Sequence, residues 1–128
     1  RYDLAYEKVL PVWQTMLDNH CTTWCESTSA PRSECHAWSC APLYEFCTHV
    51  LGVRVENGIL SVKPEPYTLT FANGTVPTRY GNVSVDWKKE NGLFTLTVTV
   101  PQNGKAVVTL PDGSRHEMNG TETFTCRL

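Results

Sequence analysis

A change of hydrophobic period near residue 52 constrains this chain more than any other feature. Before it, apolar residues recur at helical spacing. Tyr2, Tyr6, Val9, Leu10, Trp13, Met16 and Leu17 fall on one face of a first segment. Asp3 and Glu7 stand near its start, where the helix dipole favours acids. Pro11 predicts a kink or a restarted turn, and Asp18-Asn19-His20 ends the pattern. A second helical segment is expected from about Glu34 to Leu51, with Tyr44, Cys47, Val50 and Leu51 on its inner face. Pro42 predicts a break or a new first turn within it, and Gly52 suits the position just past a helix end.

After residue 52 the period becomes two. The stretches GILSVKP, YTLTFA, NVSVDW, LFTLTVTV, KAVVTL and ETFTC alternate apolar with polar residues and are rich in β-branched side chains. Between them, ENGL, QNGK, PDGS and MNGT carry Asn-Gly and Asp-Gly turn signals. Short strands at this spacing predict an antiparallel sandwich, with Tyr80, Trp87 and Phe94 as core or cross-strand residues. The expected fold is therefore α + β in two parts, a helical part over residues 1–52 and a β-sandwich over residues 53–128.

The two parts are not equally self-sufficient. About 75 residues of β sequence can close a small sandwich, whereas about 50 residues of helix cannot bury a core alone. The first residue is Arg rather than Met. Together these predict a piece of a longer chain, whose further helices would cover the apolar helical faces.

Composition narrows the function. A formal net charge of −2 without a Lys/Arg cluster argues against a nucleic-acid partner. No run of about 18 apolar residues occurs, so no membrane span is expected, and no cofactor is expected. Sequons at Asn73, Asn82 and Asn119 say little, because the Asn-Gly-Thr of Asn73 and Asn119 is also ordinary turn chemistry.

Chemistry concentrates in CTTWCESTSAPRSECHAWSC, residues 21–40. A structural zinc site would use Cys21-x₃-Cys25 and Cys35-x₄-Cys40 with His20 and His36. These gaps fit loosely, and the adjacent Cys35 and His36 would tend to point apart. A catalytic thiol would need a low pKa beside a histidine, as in Cys35-His36, but nothing marks one nucleophile among the thiols. With five of six cysteines before residue 48 and Cys47 in an apolar pattern, reduced thiols are expected. The third reading turns on Glu26. Beside Trp24 its carboxyl would be partly desolvated and a stronger base. Trp24 and Trp38 offer faces for sugar stacking, and Arg32, Glu34 and His36 offer hydrogen bonds. On residues alone, anchoring of the loop by the two tryptophans competes with all three readings.

The run MLDNHCTTWCES, followed by PRSECHAWSCAPLYEFCTHVLGVRV, resembles the end of the catalytic domain of family 78 glycoside hydrolases, the α-L-rhamnosidases. The pattern NGTVPTRYGNVSVDWKKENGLFTLTVTVPQNGKAVVTLP resembles the β-sandwich that follows in that family. The resemblance implies that residues 1–52 are the last helical hairpins of an (α/α)6 barrel and that residues 53–128 are the closing antiparallel sandwich. It implies inverting hydrolysis of terminal α-L-rhamnosides, with acid and base about 6.5–9.5 Å apart to admit water. Glu26 matches the family's general base, His36 a histidine lining the sugar pocket, and Trp24 and Trp38 aromatic positions around it. No residue matches a metal ligand. The general acid is expected upstream, outside this chain, so the chain alone is expected to be inactive. Its implied partners are a terminal rhamnoside or related sugar, in the intact enzyme, and the remaining barrel helices. His20 stands where the family often has Gly, and Cys25 where Pro, Trp or Glu is common. Two other readings remain: a non-catalytic carbohydrate-binding or scaffolding sandwich module, and a zinc- or disulfide-stapled interaction domain.

Overall fold

The period change is realised as a change of secondary structure. The computed structural model describes residues 2–29 and 33–128, with residues 2, 3, 5 and 6 described by backbone alone. The expectations for the side chains of Tyr2, Asp3 and Tyr6, and for Arg32, lie outside the described residues. The chain forms two compact units, Arg1–Tyr44 and Glu45–Leu128.

In the first unit, helix α1 spans Tyr2–Asp18 and runs through Pro11 without a break, contrary to the predicted interruption. Pro11 and Glu7 are both exposed, so the carbonyl that loses its donor at Pro11 faces water. The hydroxyl of Thr15 donates to the Pro11 carbonyl at 2.9 Å. The expected apolar face is covered only in part. Met16 is buried and Val9 and Trp13 are half-buried, but Leu10 and Leu17 are 36% and 65% exposed.

The second helical segment begins later than predicted. Residues 33–36 are irregular, because Ser33 holds them in loop bonds. Its carbonyl accepts from the Glu26 amide at 2.8 Å and its hydroxyl oxygen from the Cys35 amide at 3.2 Å. A 3₁₀ turn over Ala37–Cys40 leads into helix α2, Ala41–Glu45, with Pro42 in its first turn. Tyr44, expected to face inward, is 66% exposed.

The second unit opens with a wide π turn over Phe46–Val50, closed by the Leu51 amide on the Phe46 carbonyl at 2.8 Å. Gly52 then takes φ +76°, as its position past a helix end predicts. Any larger residue is excluded there, since a Cβ would sit 2.2 Å from the backbone carbon of Lys63.

Eight strands follow: β1 Val53–Glu56, β2 Ile59–Val62, β3 Phe71–Thr78, β4 Gly81–Glu90, β5 Leu93–Thr99, β6 Ala106–Thr109, β7 Arg115–Met118 and β8 Thr121–Arg127. They form two four-stranded sheets, in the orders β1-β2-β6-β7 and β3-β4-β5-β8. The sandwich is not wholly antiparallel, because β2 and β6 pair in parallel. Between them the chain builds three strands of the other sheet and re-enters the first sheet running the same way.

Asn57-Gly58 and Asn91-Gly92, all with positive φ, make the tight turns of the β1–β2 and β4–β5 hairpins. Asn73-Gly74-Thr75 carries turn residues but lies inside β3, while Tyr67–Thr70 precedes the strand. At Gly74 a Cβ would approach Leu51 Cδ1 to 2.8 Å, so packing rather than a turn fixes this glycine. Tyr80 is 40% exposed rather than core, with its hydroxyl donating to the Gly58 carbonyl at 2.6 Å.

The core lies between the sheets, where Trp87, Phe94, Leu96, Val62, Val83 and Val108 have no accessible surface. The Trp87 indole N–H donates to the Val50 carbonyl at 2.8 Å, tying the π turn to the sandwich. A polar cluster secures the same exit. Arg54 Nη2 lies 2.7 Å and Glu65 Oε2 3.2 Å from His49 Nδ1. A bare Nδ1 accepts from Arg54, and a protonated one donates to Glu65. The Tyr67 hydroxyl also donates to Glu65 Oε2.

Candidate functional site

Trp24, Glu26, Glu34 and His36 lie in the loop between α1 and the 3₁₀ turn, and Trp38 lies in that turn. The loop leaves α1 through a paired-bond cap. The Cys21 amide donates to the Met16 carbonyl at 3.0 Å and the His20 amide to that of Leu17 at 2.9 Å. His20 occupies the left-handed position of this cap, at φ +58°. That is the conformation glycine adopts at least cost.

The loop then bonds to itself. The His36 amide donates to the Trp24 carbonyl at 2.7 Å, and the Glu26 amide to the Ser33 carbonyl at 2.8 Å. These two rungs set the segments carrying Trp24-Cys25-Glu26 and Ser33–His36 side by side. The Trp38 indole N–H closes the arrangement by donating to the Glu26 carbonyl at 3.3 Å. The His36 and Trp38 rings lie 4.1 Å apart between centroids, tilted by 42°. Trp24, Glu26, His36 and Trp38 are thus gathered by backbone and indole bonds, with three unlike chemistries in one small region.

Burial separates the side chains. Cys25 is 1% exposed and its thiol donates to the Ser27 carbonyl at 3.3 Å. Trp24, Glu26 and His36 are half-buried, and Trp38 is 67% exposed. The thiol packs inward while its neighbours keep access to the surface. Trp38 offers an open aromatic face held by its own N–H, an arrangement suited to stacking on a sugar ring. Ser33 makes this geometry, although nothing in the sequence pattern set it apart from the other serines of the loop.

All six cysteines are free thiols. Desolvation, a hydrogen bond with the Cys25 thiol and the nearby Cys25 and Glu34 charges push the Cys21 thiol above its ordinary range. That is opposite to what a nucleophile needs. Among the described residues, no group of three or more His, Cys, Asp or Glu side chains is placed to hold a metal ion. No helix among them is long and apolar enough to cross a membrane.

The fold defines a class, a β-sandwich domain of two four-stranded sheets reached from a short helical lead. Residues 59–125 match the family described as the bacterial alpha-L-rhamnosidase C-terminal domain. The chain belongs to that family. It is 34% identical over 85 residues to an alpha-L-rhamnosidase of Formosa agariphila, covering 65% of this chain and 9% of that protein. It is 26% identical over 117 residues to one from Alteromonas sp., covering 80% of this chain and 13% of that protein. The chain therefore spans only about a tenth of the length of these curated relatives.

Its fold is that of part of the Streptomyces avermitilis alpha-L-rhamnosidase solved in complex with L-rhamnose. The TM-score there is 0.72 at 22% identity, covering 90% of this chain and 15% of that one. For the alpha-L-rhamnosidase of Dictyoglumus thermophilum the TM-score is 0.66 at 19% identity, covering 88% and 17%.

Proposed function

We propose that the chain is the C-terminal part of an α-L-rhamnosidase, contributing the end of the catalytic barrel and the closing sandwich. Residues 1–52 are read as the last hairpins of an (α/α)6 barrel. The exposure of Leu10, Leu17 and Tyr44 supports this reading, because further helices would cover those faces. Loop 21–40 then forms one wall of the sugar pocket. Glu26 serves as general base, activating the water that attacks the anomeric carbon opposite the leaving group. His36 hydrogen-bonds the sugar, and Trp24 and Trp38 pack against its apolar face. The general acid belongs to the rest of the parent barrel, so this chain alone supplies only half of an acid–base pair.

The observation that carries the reading is the self-bonded loop. It brings Glu26, His36 and both tryptophans together in a chain whose sandwich belongs to the rhamnosidase C-terminal domain family. The test is Glu26→Gln in the intact parent enzyme. Loss of a general base lowers kcat by about 10²–10⁴-fold while substrate binding is largely kept. A loss of only a few-fold removes the base assignment. Hydrolysis of an aryl α-L-rhamnoside by the purified 128-residue chain alone would overturn the half-site reading.

A further inference from the structure

The outward face of the sheet β3-β4-β5-β8 has a composition that the roles above leave unused. Alternation along β3 sends Val76 inward and Phe71, Asn73 and Thr75 outward. The register aligns them with outward residues of the neighbouring strands. One row runs Thr75, Ser84, Thr99, Thr121, and the next runs Asn73, Asp86, Thr97, Thr123. Phe71 and Lys88 begin a third.

Hydroxyls pair across strands, Thr75 with Ser84 at 2.9 Å, Thr97 with Thr123 at 2.9 Å and Thr99 with Thr121 at 3.0 Å. Each pair uses one donor, so lone pairs and a second hydroxyl hydrogen stay available. The first two rows border a hollow of about 300 Å³, lined among others by Asn73, Thr75, Ser84, Asp86, Thr97 and Thr99. Phe71 lies two residues along β3 from Asn73 on the same face and is 67% exposed.

We infer that this face binds a neutral oligosaccharide chain, separately from the loop 21–40 pocket. Fixed hydroxyls, one amide and one carboxylate in a shallow hollow beside an open aromatic ring match the alternating polar and apolar faces of a sugar chain. Sugar hydroxyls donate to Asp86 and to the Asn73 carbonyl oxygen and accept from the Asn73 amide and the threonine hydroxyls. Phe71 stacks on a ring's C–H face. The occupant is neutral, because Asp86 lines the hollow and repels a uronate or sulfate, while Lys88, opposite Phe71, is engaged by Glu90 at 3.0 Å. A packing helix of the parent chain fits less well, since the centres of protein interfaces are depleted in Ser and Asp. This inference does not rest on the assignment of Glu26.

The test is a ¹⁵N–¹H NMR titration of the 128-residue chain with a neutral rhamnose-containing tetrasaccharide, with a galacturonate tetramer as the charged comparison. The expected shifts lie on Asn73, Asp86, Thr97 and their strand neighbours, with millimolar affinity and no response to the charged tetramer. Phe71→Ala and Asp86→Ala each weaken binding by up to about tenfold with the remaining spectrum unchanged. Shifts absent, or confined to residues 21–40, would overturn the sheet site while leaving the barrel reading standing. Protection of Phe71 from hydroxyl-radical labelling in the intact parent enzyme would overturn it equally.

Discussion

Trp87→Phe is the most informative single change in the sandwich. Trp87 has no accessible surface, its N–H donates to the Val50 carbonyl at 2.8 Å, and its ring lies 5.6 Å from that of Phe94. Phenylalanine places its ring next to Cβ, about where the pyrrole ring lay, but removes the donor and leaves a void where the outer benzo ring was. An orphaned buried carbonyl costs about 1–3 kcal/mol, and the void about 1 kcal/mol more. The expected loss is about 2–4 kcal/mol, a large share of the stability of a domain this size. With a urea slope near 1–1.5 kcal/mol/M, the midpoint falls by about 2 M. Far-UV circular dichroism is the suitable probe, because the substitution removes a fluorophore. Phe94→Leu in the same core deletes packing but no hydrogen bond, so it separates the two contributions and should cost only about 1–2 kcal/mol. If Trp87→Phe costs no more than Phe94→Leu, the indole bond does not anchor the π turn and the reasoning fails.

Three further outcomes are expected. Gly52→Ala forces a left-handed φ on alanine and drives its Cβ against the backbone of Lys63 and Pro64. Its cost is at least ~3 kcal/mol, measured by thermal unfolding, and a loss under ~1 kcal/mol would mean that the Lys63 strand end moves freely. His20→Gly relieves the positive φ at the end of α1 and stabilises the first unit by about 0.5–1 kcal/mol, read from amide exchange in α1; unchanged or faster exchange contradicts it. Burial opposes ionisation of Glu65, but hydrogen bonds from Tyr67 and His49 and the charges of His49 and Arg54 outweigh it and hold this carboxyl below its ordinary 4.5. Its folded pKa is depressed, so its contribution is complete above about pH 4.5 and is lost as pH falls through the lower folded value. The stability gap between wild type and Glu65→Gln should therefore close below that pH, and a gap that widens on acidification would reverse the sign.

Much of the sandwich was legible because alternation is read directly from side chains. LFTLTVTV and NVSVDW became β5 and part of β4, with Trp87 and Phe94 in the core. The alternating stretches begin at Gly58 and leave out β1, although Val53-Arg54-Val55 runs into Asn57-Gly58, a hairpin signal as good as ENGL. β7 carries no such signal, since only Met118 of its four residues is buried. In the loop, Glu26, His36, Trp24 and Trp38 stood out by residue type, while Ser33, which joins their segments, did not. One hydroxyl residue among several looks alike until the backbone partner is known.

The sequence by itself determined the switch from helical to strand period, the Asn-Gly hairpins and the glycine past the helix end. These follow from local sterics and from the spacing of apolar side chains, which each segment carries within itself. Only the tertiary structure decided that β2 and β6 run parallel, that Gly74 serves Leu51 rather than a turn, and that the hydroxyls of four strands form one face. Each of these depends on residues far apart in the chain, whose pairing is set by sheet register and core packing rather than by any local pattern.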